Sequence, residues 1–256
     1  PSKKGEKFNK YKIQEKLENG ADIKSLFDKV DKITNDFYLV QNDKKQSFIY
    51  KKKLVSDWFK FTFDIKKIKF IKEKNDKPVI DYDGDVILKC KMSSLPIYFN
   101  RVGGYFGCFN DELTTLEGAP REVGGNFICF SNKLTSLEGA PEKVGGHFDC
   151  GHNKLTSLEG SPREVGGDFS CVYNNLTSLE GSPREVGGDF SCSSNKLTSL
   201  EGAPREVGRD FVCANNNLTS LEGAPEKVGR DFVCTHNNLT TLEGAPERVG
   251  GDFNCY

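Results

Sequence analysis

From about residue 102 to the end of the chain, the apolar residues recur with a fixed period of 21 residues. Each period holds a phenylalanine, one variable residue and a cysteine. Leucines follow the cysteine at five and eight positions, proline at twelve and valine at fifteen. A fixed period of this length predicts a solenoid, because each turn can bury its apolar face only against its neighbours. The cysteines that set the period are Cys108, Cys129, Cys150, Cys171, Cys192, Cys213, Cys234 and Cys255.

Several features of each period predict local structure. Phenylalanine and cysteine flank one variable residue, which predicts a strand whose Phe and Cys side chains both enter the core. The asparagine three positions after cysteine, as at Asn132, is expected to bond loop backbone groups on neighbouring turns. The return segment, such as Glu117–Val123, is too short and too interrupted by proline for a helix, so we expect extended or 3₁₀ structure there. The first glycine of each Gly-Gly pair never varies, which predicts a positive φ or a close backbone approach.

The combined phrase F-x-C-x-x-N-x-L-x-x-L resembles the leucine-rich repeat L-x-L-x-x-N-x-L-x-x-L, with Phe and Cys in the first two apolar positions. Its length and its proline-bearing return segment are similar to the short repeats of bacteria and bacteriophages. The resemblance covers residues 102–256, and a degenerate first repeat at 84–102 keeps Met92, Leu95 and Val102 at the corresponding spacing. It implies a leucine-rich-repeat solenoid over 84–256, with a parallel β-sheet on the concave face, an extended or 3₁₀ convex side and little helix.

The positions that differ between turns predict a binding surface. They are the residue between Phe and Cys and the two residues after Cys, and the first two of these point to the outer face of the sheet. Exposed apolar and aromatic side chains on an open sheet face are typical of a partner surface. The resemblance likewise implies a protein partner on the concave face, whereas the alternative is sequence drift at solvent positions. The residues predicted to bind the partner are Phe109, Ile128, Phe130, Asp149, His152, Val172, Tyr173, Val212, Val233 and His236.

A further column, one residue before each phenylalanine, becomes acidic in the last five turns. Stacked like charges at strand spacing repel one another. The column therefore predicts either an acidic strip for a basic partner or a cation, or aspartates that each accept a backbone N–H at the strand entrance. The aspartates of this acidic strip are Asp168, Asp189, Asp210, Asp231 and Asp252.

The cysteines and histidines lack the spacings of catalytic or metal sites. No two of the nine cysteines are closer than 18 residues, whereas zinc sites use close pairs such as C-x₂-C. Cysteines on adjacent parallel strands have parallel Cβ vectors, which is poor disulfide geometry, so we expect buried free thiols in a reducing compartment. No histidine has a Ser or Cys partner outside the repeat framework, and no P-loop Lys-Ser/Thr follows the glycine pairs. We therefore expect a non-enzymatic protein with no metal and no cofactor.

Residues 1–83 differ from the rest of the chain in charge. They contain 21 lysines and 14 acidic residues, a net charge of +7, whereas residues 84–256 have a net charge of −8. The pattern predicts a Lys-rich α+β capping domain with helices at 5–18 and 21–33, a hairpin of strands at 37–40 and 47–50, and strands at 58–63 and 65–71. The basic charge leaves nucleic-acid binding open, with the solenoid as an assembly platform. The alternative explanation is an AT-rich genome, whose codons place lysine at many surface positions. No motif supports a small enzyme or toxin here.

Apolar runs and chain ends add expectations about location and assembly. No run approaches the roughly 18 apolar residues of a membrane helix, and the charged start of the chain is unlike a secretory signal. We therefore expect a cytoplasmic protein without membrane contact. The resemblance implies a phage factor that acts on a host or defence protein, hence the host cytoplasm. The chain stops at Tyr256 without a capping unit, so we expect either a shortened chain or a homo-oligomer through residues 240–256.

Overall fold

The computed structural model describes residues 29–32, 37–41, 47–51, 68–74, 77–88, 93–95, 97–109 and 112–256. Most of them form a parallel β-solenoid of about eight turns, in which each turn adds one short strand to each of two sheets. No helix occurs within these ranges. The predicted repeat solenoid is confirmed, since equivalent residues 21 positions apart lie directly opposite one another on adjacent strands.

Three strands nearer the N-terminus form a small antiparallel sheet: β1 (Lys29–Lys32), β2 (Phe37–Gln41) and β3 (Ser47–Lys51). The pairing of β2 with β3 is the predicted hairpin. The helix predicted at 21–33 is wrong at its end, because residues 29–32 pair with β2 as a strand. Hydrogen bonds to β2 stabilise these four residues as a strand, and the helix propensity of so short a segment is too weak to compete. The helix predicted at 5–18 and the strand predicted at 58–63 lie outside the described residues.

The return segments of successive turns form a ten-stranded sheet, named here the Val sheet. Its strands are β4 (Ile68–Lys74), β5 (Lys77–Tyr82), β7 (Tyr98–Val102), β9 (Glu122–Val123), β11 (Lys143–Val144), β13 (Glu164–Val165), β15 (Glu185–Val186), β17 (Glu206–Val207), β19 (Lys227–Val228) and β21 (Arg248–Val249). Only β4 and β5 are antiparallel to each other. The predicted extended backbone is confirmed, but its pairing into a second sheet was not predicted. Because β5 pairs with β7, solenoid hydrogen bonding begins before residue 84, and the predicted domain boundary there stays a prediction.

The Phe-x-Cys segments form a nine-stranded parallel sheet, named here the Phe sheet. Its strands are β6 (Val86–Ile87), β8 (Phe106–Gly107), β10 (Phe127–Ile128), β12 (Phe148–Asp149), β14 (Phe169–Ser170), β16 (Phe190–Ser191), β18 (Phe211–Val212), β20 (Phe232–Val233) and β22 (Phe253–Asn254). Each phenylalanine lies opposite the phenylalanine of the next turn. The register therefore brings phenylalanines together from β8 to β22, and Val86 of β6 lies opposite Phe106 at the start of the sheet.

Phenylalanine rings form a continuous stack through the core. Seven consecutive ring pairs, from Phe106 to Phe253, have centroids 5.1–5.4 Å apart and planes within 3–12° of parallel. Phe99 packs its edge against Phe106 at 5.3 Å and closes the stack. The rings from Phe106 to Phe232 are fully buried, and each aromatic pair contributes about 0.5–1.5 kcal/mol beyond the burial of its area.

Asparagine side chains join each turn to the preceding one. Asn174 is representative: its Oδ1 accepts the N–H of Leu155 at 3.0 Å, and its Nδ2 donates to the carbonyls of Cys150 and Cys171, each at 3.1 Å. The same pattern is formed by Asn132, Asn153, Asn195, Asn216 and Asn237. The predicted bonding to loop backbone is confirmed for the residue's own turn and the turn before it. The predicted bond to the following turn is not among these contacts.

Two glycines in each turn are required by the backbone. Gly181 has a φ of 86°, in the left-handed region that favours glycine. The first glycine of the Gly-Gly pair is required for a different reason, because a Cβ on Gly187 would collide with the carbonyl oxygen of Gly166. Of the two predicted explanations for that invariant glycine, close backbone approach is correct. The second glycine of the pair is replaceable, as Arg209 shows.

The cysteine side chains are turned into the core. Six of them, from Cys108 to Cys213, are free and buried. Burial raises the pKa of the Cys213 thiol to about 12 and raises the pKa of its four predecessors in the ladder well above the usual value. Cys234 and Cys255 end the ladder on adjacent strands, with Cα atoms 4.7 Å apart. That separation is the ordinary spacing of neighbouring strands, and the prediction of buried free thiols is confirmed for the six cysteines from Cys108 to Cys213.

The last turn leaves part of the core uncovered. Leu242 is 55% exposed and Phe253 is 38% exposed, whereas their equivalents Leu221 and Phe232 are fully buried. Strands β21 and β22 are the edges of the Val sheet and the Phe sheet. Self-association through residues 240–256 would bury this surface, and it stays a prediction.

Candidate functional site

The strands of the Phe sheet send alternate side chains to opposite faces. In the inner strands phenylalanine is buried, the next residue is half-buried and the following cysteine is buried. The structure places the following predicted binding residues on the outer face: Ile128, Asp149, Val212 and Val233 within their strands, and Phe109, Phe130 and Val172 just after the cysteine. These residues therefore share one surface, and their contact with a partner stays a prediction.

His152, Tyr173 and His236 occupy a different backbone position. The second residue after cysteine has a φ between 52° and 59° in six turns, and this left-handed conformation costs about 1–2 kcal/mol for a residue with a Cβ. Serine or asparagine fills the position in the other three turns. A bulky residue such as tyrosine is unusual there, and Tyr173 is 56% exposed. Neither the backbone nor the core requires an aromatic side chain at this position.

Three of the predicted residues form an aromatic cluster: Phe130, His152 and Tyr173. The rings of His152 and Tyr173 stack with centroids 4.3 Å apart and an interplanar angle of 22°. Phe130 meets His152 edge to face, with centroids 5.4 Å apart and an angle of 87°. Each residue comes from a different turn, so the 21-residue period brings them together across three consecutive layers. Exposed aromatic groups of this kind are the usual anchors of protein interfaces.

Asp149 lies on the middle turn of these three layers. It is paired with Ile128 on one side and Ser170 on the other, and its Oδ1 accepts the N–H of Gly151 at 2.8 Å. Within the described part of the chain, Asp149 has no ion pair. Its charge acts at a distance: the pKa of the Tyr105 hydroxyl is raised chiefly by burial and further by neighbouring charges that include Asp149. The outer face therefore carries an unneutralised carboxylate beside aromatic side chains.

Tyr105 is a surface aromatic residue that the sequence reasoning did not assign to the binding surface. Its ring and the ring of Phe109 lie over Gly107, so close that a Cβ on this glycine would be 2.5 Å from Tyr105 and 2.9 Å from Phe109. The sequence does contain a signal, because the equivalent positions of later turns hold Asn126, a histidine and then aspartates, and Tyr105 is the only tyrosine among them. Tyr105 extends the aromatic surface toward the first complete turn.

The predicted residues do not form one continuous patch. The aromatic part extends from Phe109 to Tyr173, and Val212, Val233 and His236 lie on later turns. Val212 and Val233 are directly paired across adjacent strands. The intervening turn presents serines on this face: Ser191, Ser193 and Ser194. The surface therefore divides into an aromatic part and a smaller valine part.

The acidic strip is a hydrogen-bonded ladder. Oδ1 of Asp168 accepts the N–H of Asp189 at 2.9 Å, and the same bond joins each later aspartate to the next, as far as Asp252, at 2.9–3.1 Å. Arg230 approaches Asp210 at 3.7 Å. Of the two explanations predicted for this acidic column, the one in which each aspartate accepts a backbone N–H is observed. Binding of a basic partner or a cation stays a prediction, and no group of three or more His, Cys, Asp or Glu side chains within the described ranges is arranged to hold a metal.

Comparison with known proteins identifies no relative of the chain. No protein-family model, no curated protein and no solved structure matches it. Across the residues that the structure describes, no helix combines the length and apolar composition needed to cross a bilayer.

Proposed function

We propose that the protein is a non-enzymatic recognition module that binds another protein on the outer face of the Phe sheet. The aromatic cluster is the observation that carries the proposal. Phe130, His152 and Tyr173 pack on one another outside the core, and other turns keep the same framework with small side chains in their place. Aromatic side chains that the fold does not need are best explained by a partner that covers them.

The carboxylate of Asp149 narrows the chemistry of that partner. Covering a carboxylate without supplying a donor is strongly unfavourable, because the charge loses its water and gains no partner. A lysine or arginine of the partner would pair with Asp149 and lie against the neighbouring rings, where a cation over an aromatic face is favourable. The proposed partner therefore presents a basic side chain to the middle of the aromatic surface.

A capture experiment from the native host tests the proposal. The double variant Phe130→Ser with Tyr173→Ser removes both outer rings, and it should fold normally because Ser193 and Ser194 already occupy the equivalent positions. We expect a protein that the wild type captures to be lost with this variant. Thr156→Ala with Thr177→Ala, at exposed positions elsewhere on the turns, should leave capture unchanged. Equal capture by wild type and the serine variant would contradict the proposal.

The repeat phrase supports a more specific form of the proposal. Phe106-x-Cys108 and its successors occupy the positions of the first two leucines of a leucine-rich repeat, and the buried asparagine ladder fits the asparagine of that repeat. The similarity to short bacterial and phage-type repeats supports a phage factor that acts on a host or defence protein in the host cytoplasm. Identification of the captured protein by mass spectrometry tests this assignment, and a captured structural protein of a virion would argue against it.

Nucleic-acid binding by the basic residues 1–83 is a second candidate function. It is supported by the net charge of +7 in that segment and by the exposed side chains of Lys69 and Lys74 on β4. Binding through lysine and phosphate releases counterions, so affinity should fall steeply as salt is raised. A gel-shift titration with the full chain tests this candidate, and the absence of a shift at low salt would exclude it.

Self-association through the last turn is proposed alongside these functions. The exposed Leu242 and Phe253 would be covered by a second copy that stacks on the edge strands. Sedimentation velocity of the wild type and of Leu242→Asp compares their monomer and oligomer content. A wild type that stays monomeric at high concentration would contradict this proposal.

A further inference from the structure

A groove of about 1430 Å³ runs along the Val sheet from Lys143 to Gly250. Glycines with no side chain to fill the space line part of it. Valines, two serines and a proline line another part, and the charged lining residues are five basic and three acidic ones: Lys143, Arg163, Arg184, Lys227 and Arg248, with Glu164, Glu185 and Glu206. The groove therefore carries charged side chains of both signs and is distinct from the aromatic surface of the Phe sheet.

Charges of adjacent turns are paired toward both ends of the groove. The return segments read P-R-E in some turns and P-E-K in others, and opposite charges meet where the two forms are neighbours. Lys143 Nζ lies 2.6 Å from Glu164 Oε2, and Lys227 Nζ lies 2.7 Å from Glu206 Oε1. These contacts satisfy the cations at those turns within the protein.

The two middle turns break this pattern. Both read S-P-R-E, so Arg163 is followed in its column by Arg184, and Arg205 follows on the next turn. Among the residues that the structure describes, neither Arg163 nor Arg184 forms an ion pair, and both are exposed. Like charges at this spacing repel. Glu142, on the turn before Arg163, forms its ion pair with Arg121 at 2.7 Å and none with Arg163.

The groove is left with a net positive charge. Once the two paired lysines and their glutamates are set aside, Arg163 and Arg184 remain basic and Glu185 remains acidic on the middle turns, and Arg248 remains basic on the last turn. A ligand that supplies two carboxylates to the arginine pair would remove the repulsion and form charge-assisted hydrogen bonds, which are the stronger kind.

We propose that this groove binds an acidic segment of another protein in an extended conformation, with its carboxylates on Arg163 and Arg184. The planar guanidinium group matches a carboxylate with two parallel hydrogen bonds. The charged lining extends over six turns, about 24 Å at a strand spacing of about 4.8 Å. That length holds about seven residues of extended chain. This binding is independent of the function proposed for the Phe sheet.

The unpaired glutamate in the groove favours a peptide over a nucleic acid. Glu185 lines the same space without the lysine partner that Glu164 and Glu206 have, and it would repel a backbone that carries a phosphate at every nucleotide. An extended peptide sends successive side chains to opposite sides. It can therefore place carboxylates toward the arginines and uncharged residues toward the glutamates.

A labelled seven-residue peptide of alternating glutamate and serine, titrated with the full chain and followed by fluorescence anisotropy at low salt, tests the proposal. We expect saturable binding that weakens about tenfold or more in Arg163→Gln with Arg184→Gln, since hydrogen bonds to charged groups are lost. The matched control is Arg121→Gln with Arg205→Gln, which removes the same charge from arginines already paired with Glu142 and Glu226 at 2.7 and 2.9 Å. The control should change the affinity by less than about threefold, as exposed pairs contribute little.

Two further measurements complete the test. Glu185→Gln removes the unpaired acid of the groove and should strengthen peptide binding, and Phe130→Ser with Tyr173→Ser should leave it unchanged. Three results would overturn the proposal: no saturable binding to the wild type, equal weakening in the two arginine variants, or binding of a seven-nucleotide oligothymidine as tight as that of the peptide at the same salt.

Discussion

Replacing Asn216 by alanine removes a buried amide that joins two turns of the solenoid. Its Oδ1 accepts the N–H of Leu197 at 3.1 Å, and its Nδ2 donates to the carbonyls of Cys192 and Cys213 at 3.1 Å and of Ala214 at 3.3 Å. Only 7% of Asn216 is exposed. Water therefore does not take the place of the missing amide without opening the structure.

The groups left without a partner determine the size of the effect. The Cys192 carbonyl still accepts Nδ2 of Asn195 at 3.0 Å, the Cys213 carbonyl still accepts Nδ2 of Asn237 at 3.1 Å, and the third carbonyl keeps a backbone N–H. The N–H of Leu197 loses its acceptor and stays buried. A buried donor without a partner costs about 1–3 kcal/mol, so we expect the free energy of unfolding to fall by about 2 kcal/mol.

The adjacent residue supplies the control. Asn217 is exposed, and its side chain makes no hydrogen bond within the described part of the chain. Asn217→Ala should therefore change the free energy of unfolding by less than about 0.5 kcal/mol. Urea unfolding followed by circular dichroism measures both variants, and hydrogen exchange of the Leu197 amide reports the local effect. Equal destabilisation by the two variants, or a Leu197 amide that remains protected in Asn216→Ala, would refute the reasoning.

Three other predictions concern the core. Phe190→Ala removes a fully buried ring of the stack and should lower the free energy of unfolding by about 3–5 kcal/mol, whereas Phe253→Ala at a 38% exposed ring should lower it less; equal losses in thermal unfolding would contradict the packing. Gly208→Ala puts a Cβ against the carbonyl oxygen of the preceding turn and should cost about 1–3 kcal/mol, while Arg209→Ala should leave the unfolding midpoint unchanged. Because burial raises the pKa of Cys213 to about 12, the folded state keeps a proton that the unfolded chain loses above about pH 8.5. Its contribution to stability is complete below that pH and declines as the pH rises toward about 12, so denaturation midpoints that stay constant over this interval would be inconsistent with a buried thiol.

Features that depend on one turn and its immediate neighbours were predictable. The alternation of Phe127, Ile128 and Cys129 decides which side chains enter the core, because side-chain direction along a strand has a period of two. The role of Asn132 followed from the need to satisfy buried loop backbone and from an amide that both donates and accepts. The requirement for a first glycine at positions such as Gly187 followed from its constancy, although the choice between its two explanations needed coordinates.

Features that depend on two-residue segments were not predictable. A strand such as Glu185–Val186 is too short to carry a recognisable alternation, and only the stacking of the turn on both sides gives its backbone groups their partners. The strand at Lys29–Lys32 was predicted as a helix because its apolar spacing suits both structures, and pairing with the hairpin decides between them.

The candidate sites were predictable to different degrees. Sequence variation among near-identical turns was sufficient to select Phe130, His152 and Tyr173, but their mutual packing required the angles between their rings. The arginine pair of the groove was not predicted from the sequence. The change from P-E-K to P-R-E is typical of ordinary surface charge, and only the ion pairs on the flanking turns show that Arg163 and Arg184 have no acidic partner.

The sequence by itself determined the length of a turn, the inward and outward positions of each strand and the residues that close the backbone, because the 21-residue period forces every turn into the same local environment. Only the tertiary structure decided that the return segments form a second sheet, which surface residues contact one another and which charges remain unpaired. Those properties depend on distances between turns, and a one-dimensional pattern records the order of residues but not the separation of their side chains.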